Sequence, residues 1–263
     1  MSRFTDLFAA GKPLIGMIHL PRLPYYPNSQ GIDHAISHAV RDLHVLEDAG
    51  IDGVLIENEY DRPHRISADP ATVAAMTRIT RAVVQESTDT IVGCEILLND
   101  PTASLAVASM SGASFIRTDY YVDAMTRPEY GEFAIDARGL IKYRETLAAT
   151  DILILADIQV KYATMIEPRP IGESARIACE EMADAIVVTG SETGNAPIFD
   201  DLREAAAASA LPVLIGSGLD SGNARDLLDA CDGAIVGTAL MRDCAVDADA
   251  VGQLLSALGR SRP

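Results

Sequence analysis

The fold is decided by residues 212–241, PVLIGSGLDSGNARDLLDACDGAIVGTALM, in which two short apolar runs each stop at glycine beside a small hydroxyl residue. The first run ends in Gly216-Ser217-Gly218 and the second in Gly237-Thr238, with about one helix of chain between them. The same rhythm runs back to the start. Candidate strands are Leu14–Leu20, Gly53–Asn58, Ile91–Leu97, Phe115–Asp119, Ile152–Ile158, Ala185–Gly190, Pro212–Gly216 and Gly233–Gly237. Amphipathic stretches separate them, such as Asp33–Ala49, where Ile36, Ala39, Val40, Leu43 and Leu46 share one face. Pro70 and Pro101 each follow an aspartate and suit the first turn of a helix, while Gly50 and Gly112 suit helix ends. Continuously apolar strands alternating with helices imply a parallel sheet covered by helices. Eight such units in 263 residues predict a closed (β/α)8 TIM barrel occupying the chain as a single domain. An open dinucleotide-binding sheet is the competitor, but GSGLDSG is one residue too long for its glycine spacing, and no Walker loop is present. The longest irregular segment, about 120–138, is expected to act as a lid over the strand ends.

Composition narrows the function. The chain has 48% hydrophobic and 22% charged residues, enough for a full core. A net charge of −17 and the absence of tryptophan argue against a nucleic-acid partner. No apolar run reaches the roughly 18 residues of a membrane span, so a cytoplasmic protein without membrane insertion is expected. Cys94, Cys179, Cys231 and Cys244 are too scattered for a zinc ribbon and read as buried, reduced thiols. A homo-oligomer is the expectation for barrels of this kind.

In a barrel, alternate strand residues face inward. That parity aligns Phe115, Arg117 and Asp119, and likewise Leu153, Leu155, Asp157, Gln159 and Lys161. His19, Glu57 and Glu95 end or approach the end of the first three strands. These ionisable groups therefore gather at the mouth where barrels of this type keep their active sites, either as a site or as a structural ion network. Lys161, one of only three lysines beside Lys12 and Lys142, is expected to act as general acid/base, Schiff-base amine or cationic clamp. The alternative is a salt bridge to Asp157 that only orders the loop. Lys12 and Lys142 read as solvated. Asp157, Glu57 and Asp119 complete the catalytic candidates.

Glycine turns follow the last three strands: Thr189-Gly190-Ser191-Glu192-Thr193-Gly194, Gly216-Ser217-Gly218 and Gly237-Thr238. Bare backbone and hydroxyls suit a phosphate, although glycine also simply ends strands. Gly190, Ser191, Thr193, Gly216, Ser217, Gly218, Gly237 and Thr238 are thus the candidate phosphate site of a small phosphorylated ligand, with His19, Asn58, Glu95 and Arg117 as further contacts. His34 and His38 have metal-like spacing but fall off the apolar stripe and read as a solvated surface. The run Glu57-Asn58-Glu59-Tyr60-Asp61 offers oxygens for a divalent cation; a solvated acidic loop is the favoured reading. No cofactor is required by any motif.

Several segments together resemble the BtpA/SgcQ family: LIGMIHLPRLPYYP (14–27), DGVLIENEYDRP (52–63), LLND (97–100), ASFIRTD (113–119), LADIQVKYA (155–163), DAIVVTGSETG (184–194) and the 212–241 stretch. The resemblance implies a ribulose-phosphate-binding type of TIM barrel. It also links the chain to the biogenesis of membrane complexes, notably photosystem I, and to sugar-metabolism proteins suspected of being enzymes. Cys94-Glu95 replaces the family's usual small residue and asparagine, and the tail after Thr238 lacks the family's usual lysine. Two functions stand: an enzyme on a sugar or nucleoside phosphate, by isomerase, aldolase/lyase or glycosyl-bond chemistry, or a non-catalytic assembly or regulatory factor for membrane-complex biogenesis.

Overall fold

The computed structural model describes residues 2–9, 11–190 and 196–260. In chain order the elements begin α1 (Arg3–Leu7), β1 (Leu14–His19), α2 (Ile32–Ala49), β2 (Gly53–Glu57), α3 (Pro70–Glu86), β3 (Ile91–Glu95), α4 (Pro101–Ser111) and β4 (Phe115–Thr118). They continue with β5 (Met125–Arg127), β6 (Gly131–Phe133), α5 (Ala137–Thr146), β7 (Leu153–Ile158), β8 (Thr164–Met165), α6 (Ile171–Glu180), β9 (Ala185–Val188) and α7 (Phe199–Ala208). The last are β10 (Val213–Ile215), α8 (Ala224–Asp229), β11 (Gly233–Val236), a 3-10 turn (Thr238–Leu240), β12 (Met241–Arg242), β13 (Ala245–Val246) and α9 (Ala248–Ala257). Eight parallel strands close in the order β1-β11-β10-β9-β7-β4-β3-β2, the TIM barrel expected from the alternating pattern.

Local chemistry sets the helix ends where the sequence places them. Asp69 and Asp100 cap α3 and α4 by accepting from the Thr72 and Ala103 amides, with Pro70 and Pro101 next in line. Each such cap contributes about 1 kcal/mol. Gly50 and Gly112 close α2 and α4 at φ 88°, a left-handed conformation that costs any residue with a Cβ.

A second device recurs at the strand entries. Asp52, Asp184 and Asp232 each stand one residue before a strand or its first glycine and accept an amide from the strand alongside: Leu14, Ile154 and Val213, at 2.8–2.9 Å. Those amides belong to the first or second residue of their strands, at the barrel's lower rim, where a buried amide needs a partner. Asp184 also binds Arg144 and Arg3.

The barrel interior is filled by inward residues such as Ile15, Leu55, Phe115, Leu155, Val187 and Ile235. Phe4 of α1 and Phe8 just after it enter from below, the Phe8 ring meeting Phe115 edge-on at 5.9 Å. The five residues of α1 are too few to show a helical period, so this plug escapes a sequence reading. Gly93 is bare because a Cβ there would lie 2.2 Å from the Phe115 ring. The outer core lies between strands and helices.

Three expectations are corrected. The 120–138 segment is not irregular: β5 and β6 form a hairpin, and β8 joins it in an antiparallel sheet ordered β6-β5-β8. Only Cys94 and Cys231 are buried, Cys179 being intermediate and Cys244 exposed, though all four are free. His38 is not solvated like His34; its Nε2 lies 3.2 Å from the buried Asp42. Lys12 is exposed, yet its ammonium donates to the Leu228 carbonyl. Among the described residues no helix is long and apolar enough to cross a membrane.

Two substitutions test this account. Phe8→Ala should lose about 3–5 kcal/mol in urea unfolding by emptying the barrel's lower end. Asp232→Ala should lose about 1–3 kcal/mol by stranding the Val213 amide.

Candidate functional site

The inward positions at the C-terminal strand ends form the floor of a cavity of about 400 Å³. Sheet register places His19, Glu57 and Glu95 side by side on β1, β2 and β3. His19 Nε2 is 3.4 Å from Glu57 Oε2. Burial holds the His19 imidazole below its ordinary pKa, outweighing the attraction of Glu57.

Arg117, inward on β4, does not pair with Glu57 or Asp119. Its Nε and Nη2 donate to the two oxygens of Asp157 on β7, at 2.7 and 2.8 Å. Asp157 is fully buried and outside the cavity lining, and its partner is Arg117 where the alternative reading offered Lys161. Glu95 is also sealed below the cavity wall; its Oε2 is 3.9 Å from Arg117 Nε and has no hydrogen-bond partner. Burial, then the charge of Asp119, pushes the Glu95 carboxyl far up. Asp119, which does line the cavity, is pushed up to about 7 by burial and then by Asp157, against the pull of Arg117 and Lys161. A carboxyl titrating near neutrality can both give and take a proton at working pH.

One wall is made by the turns after β10 and β11. Gly216, Ser217, Gly218, Gly237 and Thr238 all line the cavity. A Cβ at Gly216 would lie 2.4 Å from Val187 and 3.1 Å from the Arg117 guanidinium, so the glycine makes room for the floor. Gly237 faces the His19 ring, whose nearest atoms would be 3.4 Å from a Cβ there. Gly218 takes φ 73°, and its carbonyl accepts from Asn223 Nδ2 at 2.8 Å. Among the described residues, the amides of Gly218, Thr238 and Ala239 donate to no acceptor. Gly190 is not in the lining; its amide donates to Ser217 Oγ at 3.0 Å and braces the turn from behind. Ser191 and Thr193 fall outside the described residues.

The facing wall is the β6-β5-β8 sheet, which hangs from the ends of β4 and β7. Its small core stacks Tyr120 on Phe133 at 5.0 Å, with Leu98, Met125 and Val160 around them. Lys161 lines the cavity here and has no ion pair among the described residues. Arg127, Tyr130, Arg62 and His64 also line it and escaped the sequence reading. Arg127 had a usable signal: Arg127-Pro128-Glu129-Tyr130-Gly131 is a turn sequence between two short alternating runs.

Asn58 lies outside the cavity lining. It is buried, accepting from the Leu97 amide at 2.8 Å and donating to Asp61 at 3.3 Å. The rest of that acidic loop is equally engaged, Asp61 holding the Leu23 amide and Glu59 pairing with Arg62. Among the described residues no three His, Cys, Asp or Glu side chains converge as a metal site.

Comparisons with known proteins agree with this architecture. A protein of Synechocystis, the photosystem I biogenesis protein BtpA, is 36% identical over 239 residues, spanning 89% of this chain and 82% of that one. Among solved structures, tryptophan synthase of Mycobacterium tuberculosis superposes with a TM-score of 0.63 at 15% identity, covering 100% of this chain and 99% of that one. Thiamine phosphate pyrophosphorylase of Pyrococcus furiosus does so at 0.58 and 16%, covering 94% and 95%. At such identities the likeness to solved structures is one of fold. The model of the BtpA family matches residues 10–260, and the chain belongs to that family.

Proposed function

We propose that the protein is an enzyme acting on a small phosphorylated metabolite, a sugar or nucleoside phosphate. The observation that carries this reading is one cavity holding both unpaired backbone amides on glycine turns and acid/base groups free to face a ligand. The Gly218, Thr238 and Ala239 amides and the Thr238 hydroxyl receive the phosphate. They act at contact distance, so the chain's overall negative charge does not prevent it. Thiamine phosphate pyrophosphorylase, which shares the fold, carries a phosphate compound in its name, in keeping with this reading.

The chemistry falls to groups on opposite sides of the floor. Asp119 on the β4 side exchanges a proton near neutral pH, with the Lys161 ammonium nearby to steady its charged form. The neutral His19 imidazole, beside Glu57, is the counterpart on the β1–β2 side. Two proton-handling groups across one substrate serve isomerisation, aldol-type cleavage or glycosyl-bond chemistry alike. Arg117 and Asp157 act as positioning residues beneath them.

A thermal-shift panel of sugar and nucleoside phosphates against their dephosphorylated forms tests the binding. A phosphorylated ligand at 100 times its Kd should raise Tm by roughly 5–10 °C. Thr238→Val and Gly218→Ala should at least halve that rise, and equal shifts from both forms of each compound would refute the phosphate site. For the compound that binds, Asp119→Asn should cut turnover by about 10²–10⁴, and unchanged turnover would remove Asp119 from the mechanism.

The raised Asp119 pKa also has a stability signature. Between the ordinary carboxyl value and about 7 the unfolded chain gives up a proton that the folded one keeps, so stability falls as pH rises through that window. Asp119→Asn should therefore gain on the wild type between pH 5 and 7 and hold a constant lead above it, read by urea unfolding.

A further inference from the structure

The wall opposite the glycine turns holds cations that the protein pairs only weakly. Arg127 ends β5, and its guanidinium lies over the Tyr130 and Tyr162 rings at 5.4 and 5.7 Å. The nearest carboxylate, Glu129, is 3.9 Å away and 64% exposed, which makes a weak pair. Arg127 Nε is buried with no hydrogen-bond acceptor of good geometry, and the buried Tyr120 hydroxyl lies beside it. Buried donors left unmatched cost the fold free energy that a ligand's acceptor atoms would recover. A guanidinium held over aromatic rings keeps its N–H groups, which can grip an anion by two parallel hydrogen bonds.

Lys161 belongs to the same wall. It comes shortly before β8, whose pairing with β5 sets Met165 against Met125 and Thr164 against Thr126. The small sheet thus brings Arg127 and Lys161 to one side of the cavity, in a chain whose net charge is −17. In the strand ring β4 stands four places from β11, so this pole lies across the mouth from the turn at Gly237-Thr238.

We propose that the ligand carries a second anionic group, a carboxylate or a second phosphoryl, at the end remote from the glycine turns, and that Arg127 with Lys161 receives it. This rests on the phosphate reading above and adds the other end of the molecule. The reacting carbons then lie between the two anions, over Asp119 and the His19–Glu57 pair.

Isothermal titration with three probe classes tests it: sugar monophosphates such as ribose 5-phosphate, bisphosphates such as ribulose 1,5-bisphosphate, and phospho-carboxylates such as 3-phosphoglycerate. The tighter of the two-anion classes should bind wild type at least about tenfold more tightly than the monophosphates, and which class wins tells a phosphoryl from a carboxylate. Arg127→Gln should erase that advantage to within about twofold while monophosphate affinity stays put; Arg127→Lys should retain part of it, and circular dichroism melting checks that each variant is folded. Equal affinity for all three classes in wild type, or an advantage that survives in folded Arg127→Gln, overturns the second clamp and leaves the phosphate site standing. Binding by none of them overturns both.

Discussion

Inside the upper end of the barrel the Arg117 guanidinium meets the Asp157 carboxylate in a two-pronged hydrogen bond, with Glu95 and Asp119 close by. A charge buried there without a partner would cost several kcal/mol. Arg117 is the cation that lets an acidic floor exist at all, and the floor is shaped around it. Gly216 is bare in part because the guanidinium passes beneath it, and burial with the neighbouring acids pushes the Glu95 carboxyl well up where one cation cannot serve three carboxylates. Removing that one positive charge would leave the acids facing one another, so the ion pair supports the mouth rather than performing its chemistry.

Much of this organisation was legible in the sequence because period-two parity and glycine turns are local signals. Parity put Arg117 and Asp157 on the barrel's inside, and the turns after β10 and β11 fell on one wall of one cavity. Parity says which way a side chain points, not which neighbour it meets. Parity alone leaves a Lys161 salt bridge to Asp157 open as an alternative, whereas Arg117 across the β4–β7 seam reaches Asp157 first. Asn58 failed for a related reason: its amide is needed by a backbone group thirty-nine residues away, a demand no spacing rule carries. The β5–β6–β8 sheet was missed because its strands are two or three residues long, too short for any period to emerge.

The cavity departs from the electrical character of the chain around it. A surface rich in aspartate and glutamate surrounds a pocket where Arg62, Arg117, Arg127 and Lys161 balance the acids of the lining. General repulsion keeps polyanions away, while a small anion that reaches the mouth finds donors at contact range. Selection by size thus comes before selection by shape.

The aspartates at the strand entries carry a consequence of their own. Asp52, Asp184 and Asp232 sew neighbouring strands together at the end of the barrel away from the cavity, and α1 corks that same end with phenylalanines. Cohesion is anchored at one pole and recognition displayed at the other. Loops at the mouth can therefore be exchanged or lengthened by evolution with little threat to the frame, which makes this chain a scaffold on which new specificities can be tried cheaply.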